Sequence, residues 1–505
     1  MRSKAALVFL IIAILSFLRL SAFPLFDVDE GAFTEATREM FVTGDFINPT
    51  LNFEPRYDKP IFFYWLMAVG FKLFGENEFG ARVSSAFFGF LLIIATYLFV
   101  KRIKGKDVAI KAILMLGTSI GYNLYTHAAI TDMVLLFFIS SSMYCLYLSM
   151  DDKRYIIPFY ISMALAVLTK GLIGLMPVPI FIVYILLKRQ WSLLRLILNP
   201  SGIVLFFIIA LPWYMIEFII HGKDFFDAFI IKHHFTRYIG VVSGHRGPLW
   251  YYIPVLALGF FPWSFFFPYC FLKGIKERKD VFFILWFSLV LIFFSLGGTK
   301  LPDYILPAFV PMAVITAAWM DELLKNKPWR IVTLMSIAIA SVLAIAGLVV
   351  LKGRPIFPKE FMSVLMPMYI VFTLFALAAI LMSVLRPKGI SWLLIPSLAF
   401  ILVIHLWITP AASDYLQSAI HSFSIYCREH MKRGDILSTY RINNPSIMFY
   451  SKSRILKLDA GQLKALDALK GRRIFLITKA SLLNELPSSF HIIKKAERYA
   501  LLESR

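Results

Sequence analysis

The sequence predicts an all-α polytopic membrane protein with a large first extracytoplasmic loop and a small C-terminal α/β domain. Three observations lead there. The 505-residue chain is 59% hydrophobic and only 16% charged, whereas a soluble protein of this size is nearer half apolar and a quarter charged. Apolar runs near the length that crosses a bilayer recur from the N-terminus to about residue 408. The cations between those runs alternate in density, high on one side and low on the other.

About thirteen spans follow from the apolar runs, at 5–23, 83–100, 111–126, 131–150, 155–169, 172–187, 200–219, 250–272, 280–296, 303–320, 331–351, 366–385 and 390–408. The first begins after Arg2 and Lys4, is long, and shows no small-residue cleavage site, so it reads as a retained span rather than a signal peptide. With the N-terminus cytoplasmic, the inside loops carry twenty-one Lys and Arg and the short outside loops five. The bias is consistent along the chain and sets the orientation. Loop 24–82, loop 220–249 and the tail 409–505 then lie outside, and residues 1–408 form the membrane domain.

The tail has a mixed pattern, with helices expected at 414–431 and 460–469 and strands at 435–440 and 473–478. It carries 16 Lys+Arg against 8 Asp+Glu. Such a surface suits an anionic leaflet or an acidic acceptor, or is simply solvated. Nucleic acid is not an expected partner on that side of a membrane. The three cysteines, Cys145, Cys270 and Cys427, build neither a disulfide framework nor a thiolate zinc site. No Walker motif or dinucleotide fingerprint is present, which argues against an ATP-driven pump and a nucleotide cofactor.

Acids and bases gather in the first outside loop. Residues 29–43 read as an amphipathic interfacial helix, with Ala32, Phe33, Ala36, Met40 and Phe41 on one face, Glu30, Thr34, Thr37 and Arg38 on the other, and Gly44 as C-cap. Asp29 stands at its start, where the helix dipole favours an ionised carboxylate able to take a proton from a hydroxyl; the same position also suits an N-cap. Arg56-Tyr57-Asp58-Lys59-Pro60 follows. Arg56 and Lys59 suit a phosphate, and Asp58 a metal or the orientation of Lys59; an interfacial cluster of snorkelling side chains has the same composition. Asp132, Lys170, Lys300 and Tyr304 lie at span ends on the same side, and loop 220–249 adds His233, His234, Arg237, His245 and Arg246. Ionisable residues at such depths mark function by default.

These pieces, taken in order, resemble the GT-C membrane glycosyltransferases, the bacterial branch that includes the lipid A aminoarabinose transferases and the protein O-mannosyltransferases. The likeness rests on Val28-Asp29-Glu30, Ala36-Thr37-Arg38-Glu39-Met40, Tyr57-Asp58-Lys59-Pro60, Phe74-Gly75-Glu76-Asn77 with Ala81-Arg82, and Thr131-Asp132. It continues in Leu168-Thr169-Lys170-Gly171, His234-Phe235, Pro248-Leu249-Trp250-Tyr251-Tyr252, and Lys300-Leu301-Pro302-Asp303-Tyr304. The resemblance implies a GT-C fold in the bacterial inner membrane. It also implies transfer of a sugar from a polyprenyl-phosphate carrier to an extracytoplasmic lipid or protein acceptor, with lipid A as one candidate. It makes Asp29 the catalytic carboxylate and Asp132 an assisting acid. Glu30, Arg38, Arg56, Tyr57, Lys59, Arg82, Lys170, Lys300 and Tyr304 become substrate-binding candidates. The aminoarabinose branch binds a metal through a Glu and a His. Asp58 stands at the Glu position and His234 at the His position, which implies a divalent zinc or magnesium site. A polyprenyl-glycan transporter is the reading from another class; it predicts charges at mid-membrane and broken helices, whereas the polar residues here sit at span ends.

Overall fold

The computed structural model describes residues 2–236, 246–325, 391–459 and 472–504, with isolated positions 238, 240, 370, 374 and 461. The expected spans 331–351 and 366–385 and the expected helix 460–469 lie outside the described residues. Among the described residues five helical runs are long and apolar enough to cross a membrane: Glu78–Lys104, Lys153–Leu175, Trp191–Lys232, Pro302–Leu323 and Ser397–His430. Further apolar helices are shorter. The chain forms two compact units, one made of residues 1–18, 57–63 and 82–408 and the other of 19–56, 64–81 and 409–505.

The first unit is helical. Helix Asp132–Leu148 packs on Ile156–Lys170, which packs on Pro200–Phe225; helix Val281–Leu296 packs on Pro177–Lys188 and Phe309–Lys325. The expected spans 111–126 and 250–272 are not single helices. The run 111–126 bends by 64° between Lys106–Gly117 and Ile120–Thr126. The break lies at Thr118-Ser119, whose hydroxyls bond back to the carbonyls of Leu114 and Leu116 and compete with the helix ladder. The run 250–272 is divided into Tyr252–Gly259 and Phe267–Lys276 at Pro262, a residue that can neither donate to nor pack within a continuous helix. Hydropathy reads such a run as one span because both halves are equally apolar.

The second unit holds a five-stranded sheet. Its strands come from two parts of the chain order: the hairpin β1 (Thr50–Leu51) and β2 (Glu54–Pro55) stands apart, and β3 (Ile436–Tyr440), β4 (Ile455–Leu458), β5 (Ile474–Lys479), β6 (Phe490–Lys495) and β7 (Tyr499–Ser504) form the sheet in the order β4-β3-β5-β7-β6. β3 runs parallel to β4 and β5, and β7 antiparallel to β5 and β6. Alternation in β5 serves both faces. Phe475 and Ile477 bury against Ile420, Phe423 and Cys427 of helix Thr409–His430, whereas Ile474 and Leu476 face the side carrying Leu482, Leu483 and Leu486. Strands β3 and β5 and the helix were expected from the sequence; β4, β6 and β7 were not.

Helix Asp29–Thr43 ends at Gly44, whose φ of 73° suits glycine. It is not an interfacial helix with one wet face: every residue from Glu30 to Met40 is buried. Thr37 donates to Phe33 O, and Gly31 has no room for a side chain, since a Cβ there would lie 2.5 Å from Ser446 N. The polar positions lie inside the protein, a state that periodicity alone does not distinguish from solvation.

Candidate active site

A cavity of about 850 Å³ opens within the first unit and is polar at one end only. The polar end holds Asp58, Lys59, Asp132, Lys170, Thr299, Asp303 and Tyr304. The remainder is apolar. Met176, Pro179, Ile180 and Val183 form one stripe along helix Pro177–Lys188, and Leu289, Ile292, Phe293 and Leu296 form another along Val281–Leu296. Spacings of three and four residues place each set on a single helix face. The two helices pack together, so the stripes make a greasy groove leading away from the charges.

The charged end is built on helix termini. Asp132 opens its helix, Lys170 closes the next one before Gly171, and Asp303 lies in the 3₁₀ turn after Leu301. Lys170 Nζ donates to Asp132 Oδ1 at 2.6 Å and to Asp303 Oδ2 at 2.9 Å, and lies 5.3 Å from the centre of the Tyr304 ring. One ammonium thus holds two carboxylates in a nearly water-free place, an arrangement that needs all three partners. Asp303 was missed as a site residue by sequence reasoning, although it stands between Lys300 and Tyr304. Lys59 and Asp58 are half-buried, and the Lys59 ammonium also reaches Asp58 O at 3.2 Å.

Other sequence candidates take different places. Lys300 Nζ donates to Ser295 O and Gly297 O at 2.7 Å and to Phe294 O at 3.3 Å, so it closes the C-terminus of helix Val281–Leu296. It does not line the cavity. Tyr57 packs its ring on His221 and Phe225. Arg82 is fully buried near the start of its helix. In the second unit, Arg38 forks onto Glu35 with two 2.7 Å bonds, and both are buried. Arg56 lies over the Phe33 ring at 4.8 Å. Glu30 is buried and accepts from Phe26 N at 2.7 Å. Asp29 is exposed at the first helical position; Val28 is the N-cap residue, so the capping alternative for Asp29 does not apply.

The metal implied by the resemblance lacks a complete donor set among the described residues. No three His, Cys, Asp or Glu side chains converge there, Asp58 contributes a single carboxylate, and the side chain of His234 lies outside the described residues.

Residues 58–216, which span Asp58, Lys59, Asp132 and Lys170, match the family model for dolichyl-phosphate-mannose-protein mannosyltransferase. An uncharacterized protein of Aquifex aeolicus is 30% identical over 355 residues, 68% of this chain and 70% of that protein. The undecaprenyl phosphate-alpha-4-amino-4-deoxy-L-arabinose arabinosyl transferase of Yersinia enterocolitica is 31% identical over 335 residues, 63% of this chain. The chain spans 60% of the length of that transferase. The crystal structure of ArnT from Cupriavidus metallidurans bound to undecaprenyl phosphate shares the fold, with a TM-score of 0.82 at 21% identity over 99% of this chain and 97% of that one. The chain is therefore a relative of the Aquifex aeolicus protein over two thirds of both chains, is similar in sequence to the arabinosyl transferases, and shares the fold of ArnT.

Proposed function

We propose that this protein transfers a sugar from a polyprenyl-phosphate carrier to an acceptor outside the cytoplasm, with lipid A and a 4-amino-4-deoxy-L-arabinose-type sugar as the leading pair. The observation that carries the reading is the cavity with a charged head and an apolar body. A polyprenyl phosphate has that division: an anionic group for Lys59 and Lys170, and an isoprenoid chain for the groove between the two helix stripes. The match to a protein mannosyltransferase family model favours a protein acceptor as the second reading.

In the reaction an acceptor hydroxyl oxygen forms a bond to the anomeric carbon, and the bond from that carbon to the carrier phosphate breaks. The hydroxyl proton passes to Asp29, an exposed carboxylate in its helix's first turn. The leaving phosphate gains charge as the bond breaks, and ammonium groups at the polar end stabilise that charge more than the ground state. Asp132 and Asp303 fix the place of Lys170, so little reorganisation is needed as the charge develops. Tyr304 borders the same end. The cation bias of the loops supports a cytoplasmic N-terminus and a C-terminal sheet domain outside.

Radiolabel transfer in membranes containing lipid A and native lipids tests the proposal, with a panel of polyprenyl-phosphate sugars and Asp29→Asn as control. Label should move to a lipid with the wild type and not with the variant. Carrier crossing the bilayer equally in both forms, with no label moved to any acceptor, would replace the enzyme by a transporter.

A further inference from the structure

Asp27 lies two residues before the proposed base and belongs to the same unit as the C-terminal sheet domain. Its carboxylate is taken up entirely by that domain. Oδ1 accepts from Ser446 N at 2.9 Å; Oδ2 accepts from Ser446 Oγ at 2.5 Å and Asn444 Nδ2 at 3.0 Å. With the Gln417 amide oriented to satisfy both of its ends, its nitrogen donates to Asp27 Oδ2 at 3.2 Å and its oxygen accepts from Asp27 N at 3.0 Å. Three separate segments therefore grip one residue: helix Thr409–His430, the loop after β3, and helix Ser446–Ser451.

The neighbours are tied in the same way. Leu25 N donates to Tyr450 Oη at 2.8 Å. Gly31 brings the first turn of its helix so close to the domain that a Cβ would stand 2.5 Å from both Asp27 Oδ1 and Ser446 N. Asp29 is thus flanked on both sides by residues fastened to the C-terminal domain, while its own side chain is exposed.

We infer that Asp27 is a positioning residue, through which the C-terminal domain fixes the place of the Asp29 carboxylate for catalysis. The inference rests on the proposed role of Asp29 as base. It gives the C-terminal domain a part in the reaction. A carboxylate suits the task because it presents two acceptor oxygens to four donors; an amide in its place offers one oxygen and turns a donor toward Ser446 or Asn444. Retention for stability alone is a weaker account, since burial pushes the Asp27 carboxyl up to about 6, a sign that the charge is held at a cost. Misplacing a reacting group by about 1 Å costs on the order of a hundredfold in rate.

The test uses the full-length protein in membranes. Asp27→Asn should lower kcat about 30-fold with the donor KM within about twofold of wild type. Ser446→Ala, which keeps the backbone donor, should lower kcat about 5-fold, and this variant carries the test if Asp27→Asn fails to fold. Because Asp27 acts through Asp29, its substitution should cost less than about 3-fold in an Asp29→Glu background, where the carboxylate is already displaced. A folded Asp27→Asn protein with wild-type kcat, or an equal cost in both backgrounds, would overturn the inference. If Asp29→Asn itself retains transfer, the reading of Asp29 as base fails; if Asp29→Asn is inactive and Asp27→Asn is not impaired, only the positioning role fails.

Discussion

Lys170 Nζ lies 2.6 Å from Asp132 Oδ1, although thirty-eight residues separate them, and both side chains are almost wholly buried. The same ammonium reaches Asp303. Removing it leaves two carboxylates facing each other without water. Lys170→Met should therefore destabilise the membrane unit by about 3–5 kcal/mol and reduce transfer at least about a hundredfold. Adding Asp132→Asn should restore part of the stability and none of the activity, as read by thermal unfolding in detergent and by label transfer.

Lys300 gives the contrasting case. Its three bonds go to carbonyls at the end of a helix, not to the cavity. Lys300→Met should lower stability by about 2 kcal/mol and leave the donor KM within about twofold. A large rise in donor KM with an unaltered unfolding midpoint would return Lys300 to a phosphate-binding role.

Along the groove, Val183 stands in the stripe of helix Pro177–Lys188. Val183→Trp should obstruct the apolar body of the cavity and raise KM for a long-chain polyprenyl donor about tenfold or more, with a smaller effect on a short-chain analogue. Equal effects on the two donors would show that the chain does not occupy the groove.

Asp27 makes a prediction about pH. Its carboxyl is raised from 3.8 to about 6, chiefly by burial, with Glu30 adding to the shift and Ser446 and Asn444 opposing it. The folded protein thus binds this proton more tightly than the unfolded chain. The contribution is fully present below about pH 4 and is lost as pH rises through about 6, amounting to about 3 kcal/mol. Wild type should lose stability across that window relative to Asp27→Asn. Parallel unfolding curves for the two proteins from pH 4 to 7 would contradict the assignment.

The membrane class and the span ends bearing Asp132, Lys170 and Tyr304 were legible because a bilayer imposes long apolar runs and makes each intruding charge conspicuous. The triad itself was only partly legible. Asp303 gave no separate signal beside Lys300 and Tyr304, since nothing in spacing says which of several nearby charges meet. Lys300 and Arg38 show the converse: a cation in a charged stretch looks like a ligand for phosphate until its partner, a row of helix carbonyls or Glu35, is seen. Helix Asp29–Thr43 was placed correctly by its periodicity and its Gly44 stop, yet its polar face proved to be interior. Strand β6 escaped notice because Phe490–Lys495 carries two lysines on an outer strand. Asp27 escaped because its partners lie 390 or more residues away in the chain.

The groove that leaves the charged end is open at its flank: Leu172, Ile292 and Leu296, which line it, remain 46%, 52% and 65% exposed. In a bilayer those surfaces meet lipid rather than water. On the proposed function, a carrier slides in and out sideways, its chain never leaving the hydrocarbon, and only the sugar head crosses into the polar recess. Turnover in such a protein responds to how many carrier molecules share each patch of membrane, not to how many are present per litre. Dilution of the bilayer with inert lipid becomes equivalent to starving the enzyme, even when the total amount of donor is unchanged.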